Sequence, residues 1–418
     1  MTGVSRLPRP RVLLLAPDRS YRTASYIRAA DDLNIHLTVA SWGRAPLALN
    51  SDGIRLDPNS IESALDQVQE AATHAPFSAV LATDDATVGL AREICKKLQL
   101  PSNGPRARDA SINKSDFRKF CREQGLPTPA FSVIPEGESN SNFYETVSYP
   151  CVAKPLSLSA SRGVIRCETK SDLSKAIARI RRLLAQEKPD ADQSILVEEY
   201  LEGREYSVEA ILRDGSLKII AIFEKPDPMT GPFFEETIYV TPPRLCPESV
   251  LAIQTELDKV ARALEFREGP LHAELRISGD AISFIEVASR TIGGRCGKVV
   301  EFLTGVSLEI WVLANAVRRP IQRRHVPGAF GVMMIPVPSA GVLRRVEGIS
   351  QARKVSGVVS VEVDVREGQK LTPWPEGGSY PGFIFSRGAD AGEAERALRA
   401  AHQELVFVTA PDLAVEVR

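Results

Sequence analysis

Apolar positions in the first hundred residues follow two alternating rhythms. Residues 11–16 (RVLLLA) form an unbroken apolar run of strand length, and 35–41 (IHLTVAS) forms another. Between them, residues 21–33 space their apolar side chains for one face of a helix. The rhythm repeats with a helix over 60–73, carrying Ile61, Leu65 and Val68 on one face, and a strand over 79–82 that ends in Thr83-Asp84-Asp85. A helix over 87–98 follows. Strand–helix alternation predicts an open parallel sheet, in which ligands gather beyond the carboxyl ends of the strands. No GxGxxG follows the first strand, so nothing points to a dinucleotide.

The turn-rich stretch 101–105 (PSNGP) reads as a boundary. Beyond it, 115–124 is a helix with Phe117, Phe120 and Cys121 on one side and Gly125 as its stop. Strands are expected at 151–154, 163–167, 194–198 and 206–212, and helices at 172–186 and 247–264. Two short strands, 271–277 (LHAELRI) and 281–288 (AISFIEVA), flank a Ser278-Gly279-Asp280 turn. Helices over 298–304 and 307–318 lead to a β-rich end with strands at 331–335, 341–346, 358–365 and 382–385, closed by a helix over 392–405. The expected organisation is an α/β domain over 1–105, a mixed domain over 106–318 and an α+β domain over 319–418.

Composition narrows the function. A chain of 418 residues exceeds one core and suits roughly two to four domains. A net charge of −1 gives no bulk attraction to nucleic acid or to an anionic membrane, so any phosphate site must be a local arrangement. Cys95, Cys121, Cys151, Cys167, Cys246 and Cys296 form no CxxC, and the five histidines are dispersed, which fits incidental thiols rather than zinc or disulfides. The apolar stretch 12–16 is too short for a signal peptide, and no run approaches the ~20 residues of a membrane span. The expected location is cytoplasmic.

Four short stretches carry candidate chemistry. The hairpin at 271–288 bears Glu274, Glu286 and Arg290. Carboxylates on paired strands can share a face, and two of them on an apolar ribbon repel unless a cation lies between. Oxygen-only ligands suit Mg²⁺, which accepts substrate phosphates as its remaining ligands. An edge hairpin with solvated acids is the plain alternative. Lys114 stands at the entry of a helix, where a cation and free N–H groups can meet an anion; taken singly, such a residue is more often a solvated surface lysine. Lys154 ends an apolar strand and needs an anionic partner, and the small-residue loop 157–163 (SLSASRG) after it offers donors to phosphates, or is an ordinary polar turn. The stretch 196–205 (LVEEYLEGRE) is a strand running into a linker, suited to reading an adenine edge or simply to turning the chain.

In this order the stretches resemble the ATP-grasp superfamily over about 113–305. The resemblance rests on Lys114 ahead of "GLPTP", the "VAKP" lysine Lys154, "VEEYLEGREYSVE" and "HAEL…FIEVASR". It is strongest toward the carboxylate–amine ligases that join amino acids, of the L-amino acid ligase and carnosine synthase type, through "SASRGV", "GPLHAE", "ASRTIGG" and the C-terminal "SAGVLRRVEG". It implies an ATP-grasp fold behind a Rossmann-like N-terminal sheet domain and ahead of a β-rich C-terminal domain. It also implies ATP and Mg²⁺ as cofactors and ATP binding by Lys114, Lys154, Ser159, Ser161, Arg162, Gly163, Glu198, Glu199, Tyr200, Leu201 and Glu205, the last holding ribose. Glu274 and Glu286 would ligate magnesium, and Arg290 would steady an acyl phosphate or oxyanion. Loops 157–163 and 227–234 would close over the site. Arg295 offers a fork for a substrate carboxylate and Glu235 or Glu236 a partner for a substrate ammonium; structural or solvent roles stay open for these three. Partners would be small-molecule carboxylate and amine substrates, with a homodimer as an option. Ala288 stands where many of these enzymes carry asparagine, which leaves the second metal's ligands open. Rival readings are an ATP-grasp carboxylase of a biotin-like or purine substrate and a nucleotide-binding protein without turnover.

Overall fold

The computed structural model describes residues 9–18, 20–42, 52–57, 60–137, 143–187, 192–324 and 326–412. Its first sheet is parallel and holds β1 (Arg11–Leu15), β2 (His36–Ser41), β3 (Asp52–Arg55) and β4 (Ala79–Ala82) in the order β3-β2-β1-β4. The unbroken apolar run of β1 has a direct cause, because both faces of this sheet are covered. Val12 and Leu14 enter one core, and Leu13 and Leu15 enter another with the helices Ile61–His74 and Asp85–Leu98.

A second, antiparallel sheet joins β5 (Phe131–Ile134), β6 (Cys151–Pro155), β7 (Ile165–Cys167) and β8 (Ile195–Glu199) in the order β5-β8-β6-β7. The helix Lys170–Glu187 covers one face with Leu173, Ile177, Ile180 and Leu184, spaced three and four apart. Strand periodicity does the rest. Cys151 and Ala153 of β6 meet that helix, while Val152 and Lys154 line a cavity on the other side.

The third sheet has eight strands. It combines β9 (Arg204–Arg213), β10 (Ser216–Glu224), β11 (Ile238–Thr241), β12 (Gly269–Ser278) and β13 (Ala281–Ala288) with β14 (Ala329–Met334), β16 (Val358–Val363) and β18 (Gly382–Gly388). The order is β13-β12-β9-β10-β11-β14-β18-β16, so the sheet runs unbroken from the 106–318 region into the last hundred residues. β15 (Gly341–Glu347), β17 (Lys370–Leu371) and β19 (Val406–Ala410) form a separate ribbon in the order β17-β15-β19. One core binds the first sheet to the third: Val12, Leu14 and Tyr26 share it with Phe223, Val299, Trp311 and Phe385.

Several elements lie where the sequence reading left none. The PSNGP stretch also holds a helix start, since Pro105 opens the helix Pro105–Ile112 at a position that needs no N–H donor. β3, β5, β10, β11, β17 and β19 are also additional. No single helix among the described residues is long and apolar enough to cross a membrane.

Candidate active site

A cavity of about 680 Å³ opens where the three sheets meet, within the usual range for a small-molecule site. Asp84 and Asp85 reach it from the carboxyl end of β4, Lys154 and Glu198 from the second sheet, and Glu274, Arg276 and Glu286 from the third. The third sheet directs its side chains by alternation. On β9, Tyr206, Val208 and Ala210 enter a core beneath the helix Pro247–Ala263, while Glu205, Ser207 and Glu209 are buried from the other face. On β12, Leu271, Ala273 and Leu275 enter the same core, and His272, Glu274 and Arg276 line the cavity.

Glu274 lies directly across the ladder from Glu286. The next pair is Leu275 with Phe284, so Ile285 is an extra residue in β13. This bulge has a chemical effect. Phe284 and Glu286 share sequence parity, yet Phe284 packs in the core and Glu286 faces the cavity. Glu286 accepts from Arg290 at 3.0 Å and lies 3.9 Å from the Lys114 ammonium. Arg290 in turn donates to Asp85 at 2.6 Å, and burial alone would lower its pKa, but the two carboxylates raise it.

Glu274 belongs to a second cluster. Lys225, at the end of β10, donates to Glu205 at 2.7 Å, Glu236 at 2.9 Å and Glu274 at 3.1 Å. Oxygens of these three carboxylates lie within 4.8 Å of one another. Burial pulls the ammonium down, but three carboxylates around it raise it well above its ordinary value. Burial pushes Glu274 up, and Lys225 and His272 outweigh it, so Glu274 stays ionised. Glu236 keeps a raised pKa, from burial aided by the neighbouring Glu274 and Glu205. The His272 imidazole donates to Glu209 at 2.6 Å; burial opposes its charge, yet Glu209 and Glu274 hold it up at about 9. An all-carboxylate donor set on a partly open wall fits a hard divalent cation, and Lys225 already offsets part of its negative charge.

The remaining cations are anchored too. Lys154 is buried against Glu198, which also takes Arg118 at 2.8 Å and 3.2 Å. Burial pushes Lys154 down to about 8, while Glu198, despite burial, is held at about 2 by Arg118 and Lys154. Lys114 opens the helix Lys114–Glu123, which Asn113 caps, and donates to the Leu158 carbonyl at 2.7 Å. The loop after β6 therefore hangs on the Lys114 ammonium. Within it, Ala160 and Ser161 adopt left-handed backbone, with φ 58° and 53°, which costs a non-glycine residue about 1 kcal/mol or more. Ser159, Ala160 and Ser161 line the cavity. At the strand-to-linker junction Glu199, Tyr200 and Leu201 line it as well; the Tyr200 hydroxyl donates to the Met229 carbonyl and the Leu201 carbonyl accepts from Arg276.

Six of the expected site residues take the following places. Glu205 lines the cavity, but Lys225 and Arg276 engage both its oxygens, so it is a framework acid before any ribose arrives. Arg162 turns away to pair with Glu187 at 2.8 Å, and Gly163, at φ 71°, packs against Leu183 and Pro155; neither lines the cavity. Glu235 is also outside the lining; its carboxyl accepts from the Val337 backbone and burial raises its pKa. Arg295 lines the cavity, yet its fork is closed by Glu362 and by Asp364 at 2.6 Å. Glu236 sits among the carboxylates around Lys225.

Sequence reasoning missed Lys225, Arg118, Arg276, His272 and Asp85. One of them had a signal already in use. FEKP at 223–226 repeats the pattern of VAKP at 152–155, an apolar strand ending in lysine and proline.

Residues 147–299 match the ATP-grasp domain model, and 333–410 match L-amino acid ligase C-terminal domain 2. The crystal structure of an L-amino acid ligase from Bacillus licheniformis superposes with a TM-score of 0.79 at 25% identity, covering 96% of this chain and 99% of that one. An uncharacterized protein, y4rH, of Sinorhizobium fredii is 22% identical over 410 residues, 96% of this chain and 84% of its own length. A D-alanine–D-alanine ligase of Aromatoleum aromaticum is 28% identical over 206 residues, 48% of this chain and 63% of its own length. The chain therefore carries an ATP-grasp domain followed by an L-amino acid ligase C-terminal domain.

Proposed function

We propose that the protein is an ATP-dependent, ADP-forming carboxylate–amine ligase that makes an amide bond between small amino or carboxylic acids by way of an acyl phosphate. One observation carries this reading: Glu274 and Glu286 oppose each other on the wall of a cavity that also receives Lys114, Lys154 and Arg290. In the first half-reaction a substrate carboxylate oxygen attacks the γ-phosphorus of ATP, and the bond to the bridging oxygen breaks to release ADP. In the second, an amine attacks the acyl carbon, the carbon–oxygen bond to phosphate breaks, and the amine gives up a proton. The protein's part is alignment and charge neutralisation.

Lys114 and Lys154 meet the phosphate oxygens, and Arg118 with Glu198 fixes the Lys154 side chain in place. Arg290, held by Asp85 and Glu286, faces the acyl group. Glu274 and Glu286, with Glu236 as a further oxygen donor, would hold Mg²⁺, which would supply positive charge to the phosphates. In this reading residues 1–105 contribute the Asp84–Asp85 wall, 106–318 the nucleotide and metal groups, and 319–418 the wall containing Met334, Tyr380 and Phe383.

The test is a phosphate-release screen with ATP, Mg²⁺ and pairwise mixtures of amino and carboxylic acids, with bicarbonate alone as a control. Release that needs both an acid and an amine, with a condensed product in the mass spectrum, is the expected result. Release with bicarbonate alone would replace the ligase by a carboxylase. Glu286→Ala should abolish substrate-dependent ADP release and leave the circular dichroism spectrum unchanged; turnover near that of the wild type would remove Glu286 from the metal site.

A further inference from the structure

We infer that Trp374 is a positioning residue: its indole N–H latches the loop over residues 157–163 to the last region of the chain and ties nucleotide enclosure to the far wall of the cavity. The inference rests on the nucleotide reading given above. The indole Nε1 donates to the Ala160 carbonyl at 3.0 Å. One residue further on, the Pro375 carbonyl accepts from the Gly163 backbone N–H at 3.1 Å. Next in the chain, Glu376 forms a two-pronged pair with Arg179 of the helix behind the same loop, at 2.5 and 2.8 Å. Gly378 lies so close to Arg162 that a Cβ there would stand 2.6 Å from its Cδ. Consecutive residues of one strap thus grip the loop and the helix supporting it.

The loop needs that grip. Ala160 and Ser161 are both left-handed without being glycine, a shape that persists only where the surroundings impose it. Lys114 supports the loop from the phosphate side through the Leu158 carbonyl, and Trp374 and Pro375 support it from the opposite side. The strap also reaches the other end of the cavity. The Trp374 ring stacks on Tyr380 with centroids 4.7 Å apart and planes at 26°. Tyr380 lines the cavity, and its buried hydroxyl has no hydrogen-bond partner among the described residues. A molecule touching Tyr380 therefore presses, through one stacked ring, on the residue that holds Ala160. Trp374 itself does not line the cavity, which is why the role is positional and not catalytic.

The experiment compares wild type, Trp374→Phe and Glu376→Gln for binding of a β,γ-imido analogue of ATP with Mg²⁺, by calorimetry and by tryptophan emission. Phenylalanine keeps a ring for the Tyr380 stack and removes only the donor. The expected loss in affinity for W374F is about 2–10-fold, the scale of one hydrogen bond, with a smaller loss in the same direction for E376Q. The wild type has three tryptophans, and the emission change on nucleotide binding should disappear in W374F, which a purely structural role elsewhere would not cause. Wild-type affinity in both variants, with the emission change retained in W374F, overturns the latch. If W374F does not fold, E376Q alone decides, and wild-type affinity there overturns it. Failure of the wild type to bind the analogue overturns the nucleotide reading instead.

Discussion

Lys154 and Lys225 each close an apolar strand, each precedes a proline, and each is buried against carboxylate. They differ in balance. Lys225 faces three acids and keeps its proton, whereas Lys154 shares a single glutamate with Arg118 and is pushed down to about 8 by burial. In the proposed reading the protonated form meets the triphosphate, so nucleotide affinity should be full below pH 8 and fall as pH rises through it, by up to tenfold per unit. Lys154→Arg keeps its charge at every such pH and should flatten the profile, even if binding is weaker throughout. Calorimetric titration between pH 6.5 and 9.5 tests this, and an equal slope in both proteins would assign the dependence elsewhere. Arg118 makes a separate prediction. Arg118→Met leaves Glu198 with one cation instead of two and strips the Phe284 carbonyl of its donor, at a cost of about 1–3 kcal/mol, seen as a lower thermal midpoint. The sequence revealed Lys154 because a lysine in an apolar strand is conspicuous. It concealed Arg118, because an arginine beside the apolar face of an amphipathic helix looks like a surface residue until Glu198 of the second sheet pairs with it.

At the scale of elements, the hairpin at 271–288 was legible because its strands are short, local and turn at Ser278-Gly279-Asp280. Its bulge was not, since alternation alone would put Phe284 and Glu286 on one face, and only the ladder shows Ile285 as the extra residue. β10 was overlooked although its turn was written plainly. Asp214-Gly215 joins β9 to β10 with both residues left-handed, at φ 52° and 77°, the geometry of a two-residue hairpin turn favoured by Asp-Gly. Gly203 governs another junction. It has φ +108°, and a Cβ there would stand 2.2 Å from the Ile277 carbonyl oxygen of β12. That contact fixes where the linker after β8 leaves toward β9, beside Leu201 and Glu205. Gly203→Ala should therefore destabilise the fold by more than about 1 kcal/mol and raise the KM for ATP more than it lowers kcat. A thermal melt and steady-state kinetics measure the two effects, and an unchanged KM would separate the linker from the nucleotide.

Across the whole molecule, the sequence separates a first domain from the rest, yet the site depends on how the two are fastened. Pairings between distant strands, such as β11 with β14, leave no local mark, so the continuity of the eight-stranded sheet could not be read from patterns within single segments. The fastening of the first sheet was equally hidden. Arg22 sends its guanidinium to the Thr83 carbonyl at 2.8 Å, the Thr291 hydroxyl and carbonyl at 3.0 and 3.1 Å, and the Ile292 carbonyl at 3.2 Å. Asp85 holds Arg290. One contact is structural and the other aims a side chain, and substitution should tell them apart. Arg22→Met strands buried acceptors and should lower stability by about 1–3 kcal/mol, a shift of the thermal midpoint by a few degrees. Asp85→Asn removes one of two carboxylates from a guanidinium that Glu286 still holds, so the melt should move little. Because misplacement of a reacting group by about an ångström costs on the order of a hundredfold in rate, kcat should nevertheless fall about 10- to 100-fold with little change in the KM for ATP. If Asp85→Asn turned over at the wild-type rate, the first domain would serve only to cover the cavity, and Arg290 would take its aim from the hairpin alone.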